Sequence, residues 1–212
     1  MIKLLLFDWA DVCGLYDLHV FNDFLGSKGY SVDVARAHFG ELKPAFDRDQ
    51  ISEEEFWGKM AEKLGFKEDW LELAKANQKN LKLNQPFLDY IQNIKNKVHT
   101  ALLSNLDKTS IQAIQNKLNL KDYFEKIYFS YEYKMGKLEK PLIDKVFADF
   151  KVKPEEVVFI DDFQGNIEKA QKYGMKTLLY IKLEEVKKEL NEMLNLPKNW
   201  IQPFISRLKR QV

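Results

Sequence analysis

The sequence predicts an α/β protein, an open parallel sheet covered by helices on both faces, with a small α-helical insertion after the first strand. Three observations carry this expectation. Short, continuous apolar runs recur along the chain. Segments with apolar residues at helical spacing separate them, and one long interval, residues 15–83, is helical in pattern throughout. Continuous apolar strands are what a sheet buried on both faces requires, and alternation with helices gives right-handed crossovers between parallel strands.

The first run, IKLLLF at residues 2–7, ends on Asp8. The next is VHTALL (98–103) before Ser104, then KIYF (126–129) before Ser130, VVFI (157–160) before Asp161, and KTLLYI (176–181). Between them, Phe87, Ile91 and Ile94 form one helical stripe, and Ile111, Ile114 and Leu118 another. Ile143, Val146 and Phe150 follow, then Ile167, Ala170 and Tyr173, with Gly174 placed as a helix stop. In the insertion, ISEEEFWGKMAEKLG carries Ser52 as a cap with Glu55 three residues on, then a Phe56, Met60, Leu64 stripe. Its aromatics Phe46, Phe56, Trp57, Phe66 and Trp70 are expected to form a small helical core. The expected division is therefore a core of residues 1–14 and 84–212 with a helical cap at 15–83. The tail, residues 197–212, reads as a final amphipathic helix packed by Ile201, Phe204, Ile205 and Leu208.

Composition narrows the function. The 212 residues are 45% hydrophobic and 31% charged, with a formal net charge of +1. A nucleic-acid binder would show a basic excess, so no nucleic-acid partner is expected. No apolar run has membrane-spanning length, and the first run continues into acids rather than a cleavage site, so the chain is expected to be cytoplasmic with no membrane partner. The single cysteine, Cys13, allows no internal disulfide and reads as a packing residue. The pattern leaves a monomer or a homodimer open.

Ligands of open parallel sheets bind beyond the carboxyl ends of the strands. Three apolar runs here end on polar residues, Asp8, Ser104-Asn105 and Asp161-Asp162, and Lys140-Pro141 opens a later helix. Each alone is explained by a turn or a cap; together, at the same end of one sheet, they suit displacement at phosphorus. Asp8 attacks to give an aspartyl-phosphate. Asp8 and Asp162 need a cation between them, and an all-oxygen donor set selects Mg²⁺. Lys140 neutralises Asp8 and the developing charge, while Ser104 and the Asn105 backbone hold a phosphoryl oxygen.

These motifs resemble the haloacid dehalogenase-like hydrolase superfamily. Its motifs correspond to F-D8-W-A10-D11-V12, A-L-L-S104-N105, K140-P141 and F-I-D161-D162-F-Q-G-N166. The resemblance implies a Rossmann-like core with a substrate-selecting cap inserted after strand one. It implies Asp8 as nucleophile, Asp162 and the Ala10 backbone carbonyl as metal ligands beside Asp8, Asp161 as a weaker ligand candidate, and Asn166 as a residue steadying the metal site. The acidic pair is closest to the subgroup of sugar-phosphate phosphatases and the phosphatase domain of bifunctional epoxide hydrolases, and it counts against the metal-free haloacid dehalogenases. The implied activity is a Mg²⁺-dependent phosphatase acting on a small phosphorylated metabolite of the sugar phosphate type.

Two departures qualify that reading. The family's general acid/base aspartate, two residues after the nucleophile, is Ala10 here. Either Asp11 replaces it as a catalytic residue, or the substrate needs no such acid, as in phosphonoacetaldehyde hydrolases that use a cap lysine (here Lys43, Lys59 or Lys63), or the protein binds phosphate and turns over little. In motif three, Gly136 stands one place further from Lys-Pro than usual, which makes Lys137 a rival to Lys140; the following proline favours Lys140.

Overall fold

A computed structural model describes residues 1–196. The helix expected over residues 197–212 lies outside the described residues. In chain order, β1 (Leu4–Phe7) leads to β2 (Gly14–Tyr16), then to α1 (Leu18–Ser27), α2 (Val32–Phe46), α3 (Glu53–Leu64), α4 (Trp70–Gln78) and β3 (Leu81–Leu83). Next come α5 (Gln85–Ile94), β4 (His99–Ser104), α6 (Lys108–Gln115), β5 (Lys126–Phe129), α7 (Ser130–Tyr133) and α8 (Lys140–Phe150). The described chain closes with β6 (Val157–Asp161), α9 (Gln164–Lys172), β7 (Lys176–Leu179) and α10 (Leu183–Met193).

The main sheet has the order β5-β4-β1-β6-β7 and every pairing is parallel, so the fold is the expected Rossmann-like α/β core. β1 lies at its centre, and all four of its residues are buried because helices cover both faces. Alternate side chains enter opposite clusters. Leu5 and Phe7 pack with Phe87, Ile91 and Ile114, while Leu4 and Leu6 pack with Ile143, Val146 and Ile167. This is why the strands read as unbroken apolar runs. The chain runs from β1 out to β4 and β5, then crosses back to β6 and β7 on the other side of β1, and the crevice at that switch is where a ligand of such a sheet sits.

The helices α1–α4 enclose a third cluster built on Phe21, Phe46, Phe56, Trp57 and Met60, with Phe66 and Trp70 packed against it. The Phe46 and Phe56 rings stack at 4.5 Å. Ser52 caps α3 by accepting the Glu55 N–H at 3.0 Å, and Gly65 ends it with φ 63°. One element escaped the sequence pattern, which showed no strand between the first run and Phe87. β2 and β3 pair antiparallel, Gly14 opposite Leu83 and Tyr16 opposite Leu81, and form a ribbon at the root of the helical unit. Each strand is three residues long, too short for alternation to register, and the partners lie far apart in sequence.

Candidate active site

Asp8 follows β1 directly, with its backbone N–H held by the Ile160 carbonyl at 2.9 Å. Ser104 is the last residue of β4 and Asp161 the last of β6, the two strands flanking β1. Parallel pairing in register therefore brings three remote side chains to one edge. Asp8, Asp161 and Asp162 each offer an oxygen within 4.8 Å of the others. Asp8, Ser104 and Asp161 are buried, whereas Asp162 is exposed toward the mouth.

The lysine at the centre is Lys137, not Lys140. Its ammonium bridges Asp8 Oδ2 at 2.8 Å and Asp161 Oδ2 at 2.7 Å, and the residue is 4% exposed. Lys140 instead opens α8, stands in solvent and pairs with Asp144 one turn along at 2.6 Å. The reason is helical geometry: proline fixes the helix entry at 140–141, and the first turn of α8 points that side chain outward. The shifted Gly136 stands next to the lysine that contacts Asp8. The loop holding Lys137 is anchored by Asn105, whose Oδ1 accepts the Lys137 N–H at 2.8 Å. Asn105 thus acts through its side chain on the lysine.

Asp161 is committed to the same task. Its Oδ1 accepts from the Phe163 N–H and the Asn166 Nδ2, both at 2.9 Å, and its Oδ2 takes Lys137. Asn166 therefore steadies Asp161 rather than a cation directly. Asp11 has a left-handed backbone, φ 52°, and its Oδ1 accepts the Tyr16 N–H at 3.1 Å. That bond ties the turn after β1 to β2 and leaves Asp11 outside the carboxylate group. Ala10 is half-buried in the same turn, bridged to Gly14. The turn is closed around the Trp9 carbonyl, which receives the N–H groups of Cys13 and Gly14 at 2.9 and 2.8 Å. Gly14 is obligatory here, since a Cβ would fall 2.6 Å from Trp9 Cε2.

The electrostatics of the site are unbalanced. Burial raises the Asp8 carboxyl, the Lys137 ammonium draws it back down, and Asp161 pushes it up again. Burial would lower Lys137, but Asp8 and Asp161 outweigh it and the lysine is raised, hence fully charged. Asp162 is pushed up to about 6, first by desolvation and then by the negative charges of Asp8, Asp161 and Asp11. Three carboxylates against one ammonium leave a deficit that one divalent cation would cancel. Asp8 Oδ1 and Ser104 Oγ are buried and make no hydrogen bond of regular geometry among the described residues, although the Ser104 hydroxyl stands close enough to draw the Asp8 carboxyl down. Orphaned hard oxygens facing a negative cluster fit Mg²⁺ and a phosphoryl group, and no thiol or imidazole competes. Cys13 is buried, its thiol raised by desolvation first and by Asp8 second, so it is an inert packing residue as expected.

Of the three lysines considered for Schiff-base chemistry, Lys43 is pinned against Asp47 and reaches Asp107 at 3.2 Å. Burial lowers its basicity, the two carboxylates more than reverse this, and the net shift is upward. A Schiff-base lysine needs the opposite. Lys59 is paired with Glu55 at 2.7 Å and lines an open surface cleft with Lys63.

The sequence and the fold both have known relatives. The family model described as haloacid dehalogenase-like hydrolase matches residues 18–180. Drimenol cyclase of Aspergillus calidoustus is 23% identical over 207 residues, 93% of this chain and 37% of that protein. D-ribitol-5-phosphate phosphatase of Bacteroides thetaiotaomicron is 30% identical over 114 residues, 51% of this chain and 55% of that one. The chain thus spans roughly a third to just over half of the length of these curated relatives. Among solved structures, a HAD family enzyme of Bacteroides thetaiotaomicron, an aspartate-to-alanine mutant in complex with magnesium and inorganic phosphate, superposes with a TM-score of 0.75 at 25% identity. The likeness covers 88% of this chain and 99% of that one.

Proposed function

We propose, for a chain that belongs to the haloacid dehalogenase-like hydrolase family, that it is a Mg²⁺-dependent phosphatase of a small phosphorylated metabolite of the sugar phosphate type. The observation that carries this reading is the Asp8–Lys137–Asp161 arrangement, with Asp162 beside it and an unpartnered Asp8 oxygen. The solved relative that holds magnesium and phosphate and the relative that is a ribitol-phosphate phosphatase support the same chemistry.

Asp8, Asp162 and the Ala10 carbonyl are the groups that would hold the ion, which would supply positive charge against the carboxylates and the phosphoryl oxygens. The Asp8 carboxylate attacks phosphorus, forming an acyl-phosphate bond as the P–O bond to the alcohol breaks. Lys137, fully charged, opposes the burial that raises the Asp8 carboxyl and faces the negative charge that gathers on the phosphoryl group. Asp161, held by Asn166, aims Lys137. Ser104 donates its free hydroxyl to a phosphoryl oxygen. Water then attacks phosphorus, the P–O bond to Asp8 breaks, and inorganic phosphate carries off the water's oxygen and proton as the Asp8 carboxylate is restored. With Ala10 in place of an acid, the departing alkoxide lacks a proton donor at that position, a deficit of about 10²- to 10⁴-fold. The helices α1–α4 serve as the cap, residues 15–83, that shields this step from bulk water.

A panel of phosphomonoesters with and without Mg²⁺ tests the assignment. Turnover that requires the ion and is lost in Asp8→Asn supports it. Equal, background rates for wild type and Asp8→Asn would leave a phosphate-binding protein, the reading that Ala10 favours.

A further inference from the structure

Asn84 fastens the turn after β1 to the rest of the core. Its Nδ2 donates to the Val12 carbonyl at 2.7 Å, and its backbone N–H donates to the Cys13 carbonyl at 3.0 Å. The second amide proton goes to the Tyr180 hydroxyl at 2.6 Å. Val12 is fully buried, so its carbonyl needs a donor, and only the nitrogen end of the Asn84 amide can supply one.

The usual reason for an asparagine at such a position does not apply. Asn84 stands at the N-cap of α5, yet its side chain makes no capping bond. It reaches instead to a residue 72 positions earlier in the chain.

Tyr180 carries the connection across to β6. It follows β7, and its backbone N–H donates to the Asp161 carbonyl at 2.8 Å. Its ring lies 5.0 Å from that of Phe87 on α5, which packs it against the core. Tyr180 therefore holds the peptide that joins Asp161 to Asp162, while Asn84 holds the turn that carries Ala10.

Those two segments are the ones that the strands leave unsupported. Asp8 directly follows β1 and Asp161 ends β6, but Ala10 and Asp162 lie beyond the ladders. Magnesium demands near-ideal octahedral geometry, so a ligand on a loose turn binds it weakly. Side chains that orient a metal ligand without touching the metal are worth about 10- to 100-fold in affinity.

We propose that Asn84 and Tyr180 are positioning residues of the metal site, a hydrogen-bonded strut that fixes the Ala10 turn relative to Asp162. The proposal rests on the reading of Asp8, Asp162 and the Ala10 carbonyl as the groups that hold Mg²⁺.

Titration of Mg²⁺ into the metal-free protein, read as heat and as melting temperature, tests it. Asn84→Ala is expected to weaken Mg²⁺ binding by about 10- to 100-fold. Tyr180→Phe keeps the ring and loses one hydrogen bond, with an expected weakening of about two- to tenfold. In both variants kcat on a phosphomonoester should return toward the wild-type value at saturating Mg²⁺. Tyr90→Phe is the control, since it removes another buried phenol bond, to Asn191 at 3.0 Å between α5 and α10, and should leave Mg²⁺ affinity unchanged. Should Asn84→Ala not fold, Tyr180→Phe decides alone. A lower melting temperature with unchanged Mg²⁺ affinity would make the strut purely structural and overturn the proposal while the metal reading stands. Equal weakening in Tyr90→Phe overturns it as well, because any loss of stability would then act alike. A wild type that takes up no Mg²⁺ removes the metal reading and the strut's role with it.

Discussion

Lys137 and Lys140 are three positions apart and have opposite fates, because one lies in a buried loop between two carboxylates and the other in the first turn of a helix in water. Removing Lys137 leaves two buried acids without their counter-charge. Lys137→Met should cost about 3 kcal/mol of stability and about 10²- to 10³-fold in kcat, read from urea midpoints and initial rates. Lys140→Met, which loses only an exposed pair with Asp144, should stay within about 0.5 kcal/mol of wild type. The turn after β1 poses a second test. Asp11 is occupied with the Tyr16 N–H, and nothing acidic stands at position 10. Ala10→Asp should raise kcat on alkyl phosphates by about 10²-fold, while Asp11→Asn should cost less than about tenfold. A large loss in Asp11→Asn alone would instead make Asp11 the proton donor.

At the scale of elements, the site depends on where α2 ends. The Ser130 hydroxyl, at the start of α7, accepts the Leu106 N–H at 3.0 Å and donates to the Asp47 carbonyl at 2.7 Å. One side chain therefore ties the loop after β4, the end of β5 and the end of α2. Lys43 adds a charged tie from α2 to Asp107, the cap of α6. Lys134 to Asp49 at 3.3 Å and Arg48 to Glu139 extend the same seam. Ser130→Ala strands a buried N–H and a buried carbonyl together, and a loss of about 2 kcal/mol is expected. Chemical denaturation measures this directly, and an effect within about 0.5 kcal/mol would mean that water replaces the hydroxyl.

Across the whole molecule, the acidic mouth links folding, pH and cation binding. Burial first, and then the charges of Asp8 and Asp161, push the Asp162 carboxyl from 3.8 up to about 6 in the folded chain. A raised carboxyl favours the folded state while protonated, so its contribution is present at low pH and is lost as pH rises through about 6. The metal-free protein should therefore lose more melting temperature between pH 4 and pH 7 than metal-free Asp162→Asn does. Added Mg²⁺ should restore the wild type at pH 7 and leave the variant nearly unmoved. Thermal melts at the two pH values, with and without the ion, check both halves. The described helices include none long and apolar enough to cross a membrane.

Much of this protein is legible locally. Strands buried on both faces must be apolar throughout, so IKLLLF, VHTALL and VVFI announced the sheet, and the acid or serine that ends each run marked the edge where Asp8, Ser104 and Asp161 meet. Ser52 and Gly174 likewise marked helix boundaries, because capping and positive φ are properties of a few adjacent atoms. Three matters needed the third dimension. The β2–β3 ribbon joins segments that four helices separate along the chain. The choice of Lys137 over Lys140 depends on which side chain the loop turns inward, and a following proline does not encode that. The pairing of Arg48 with the bare backbone at Gly136 arises where the helical unit meets the sheet. Local propensities reveal elements and their ends, whereas the partner of a buried charge is set by packing between residues that the sequence keeps apart.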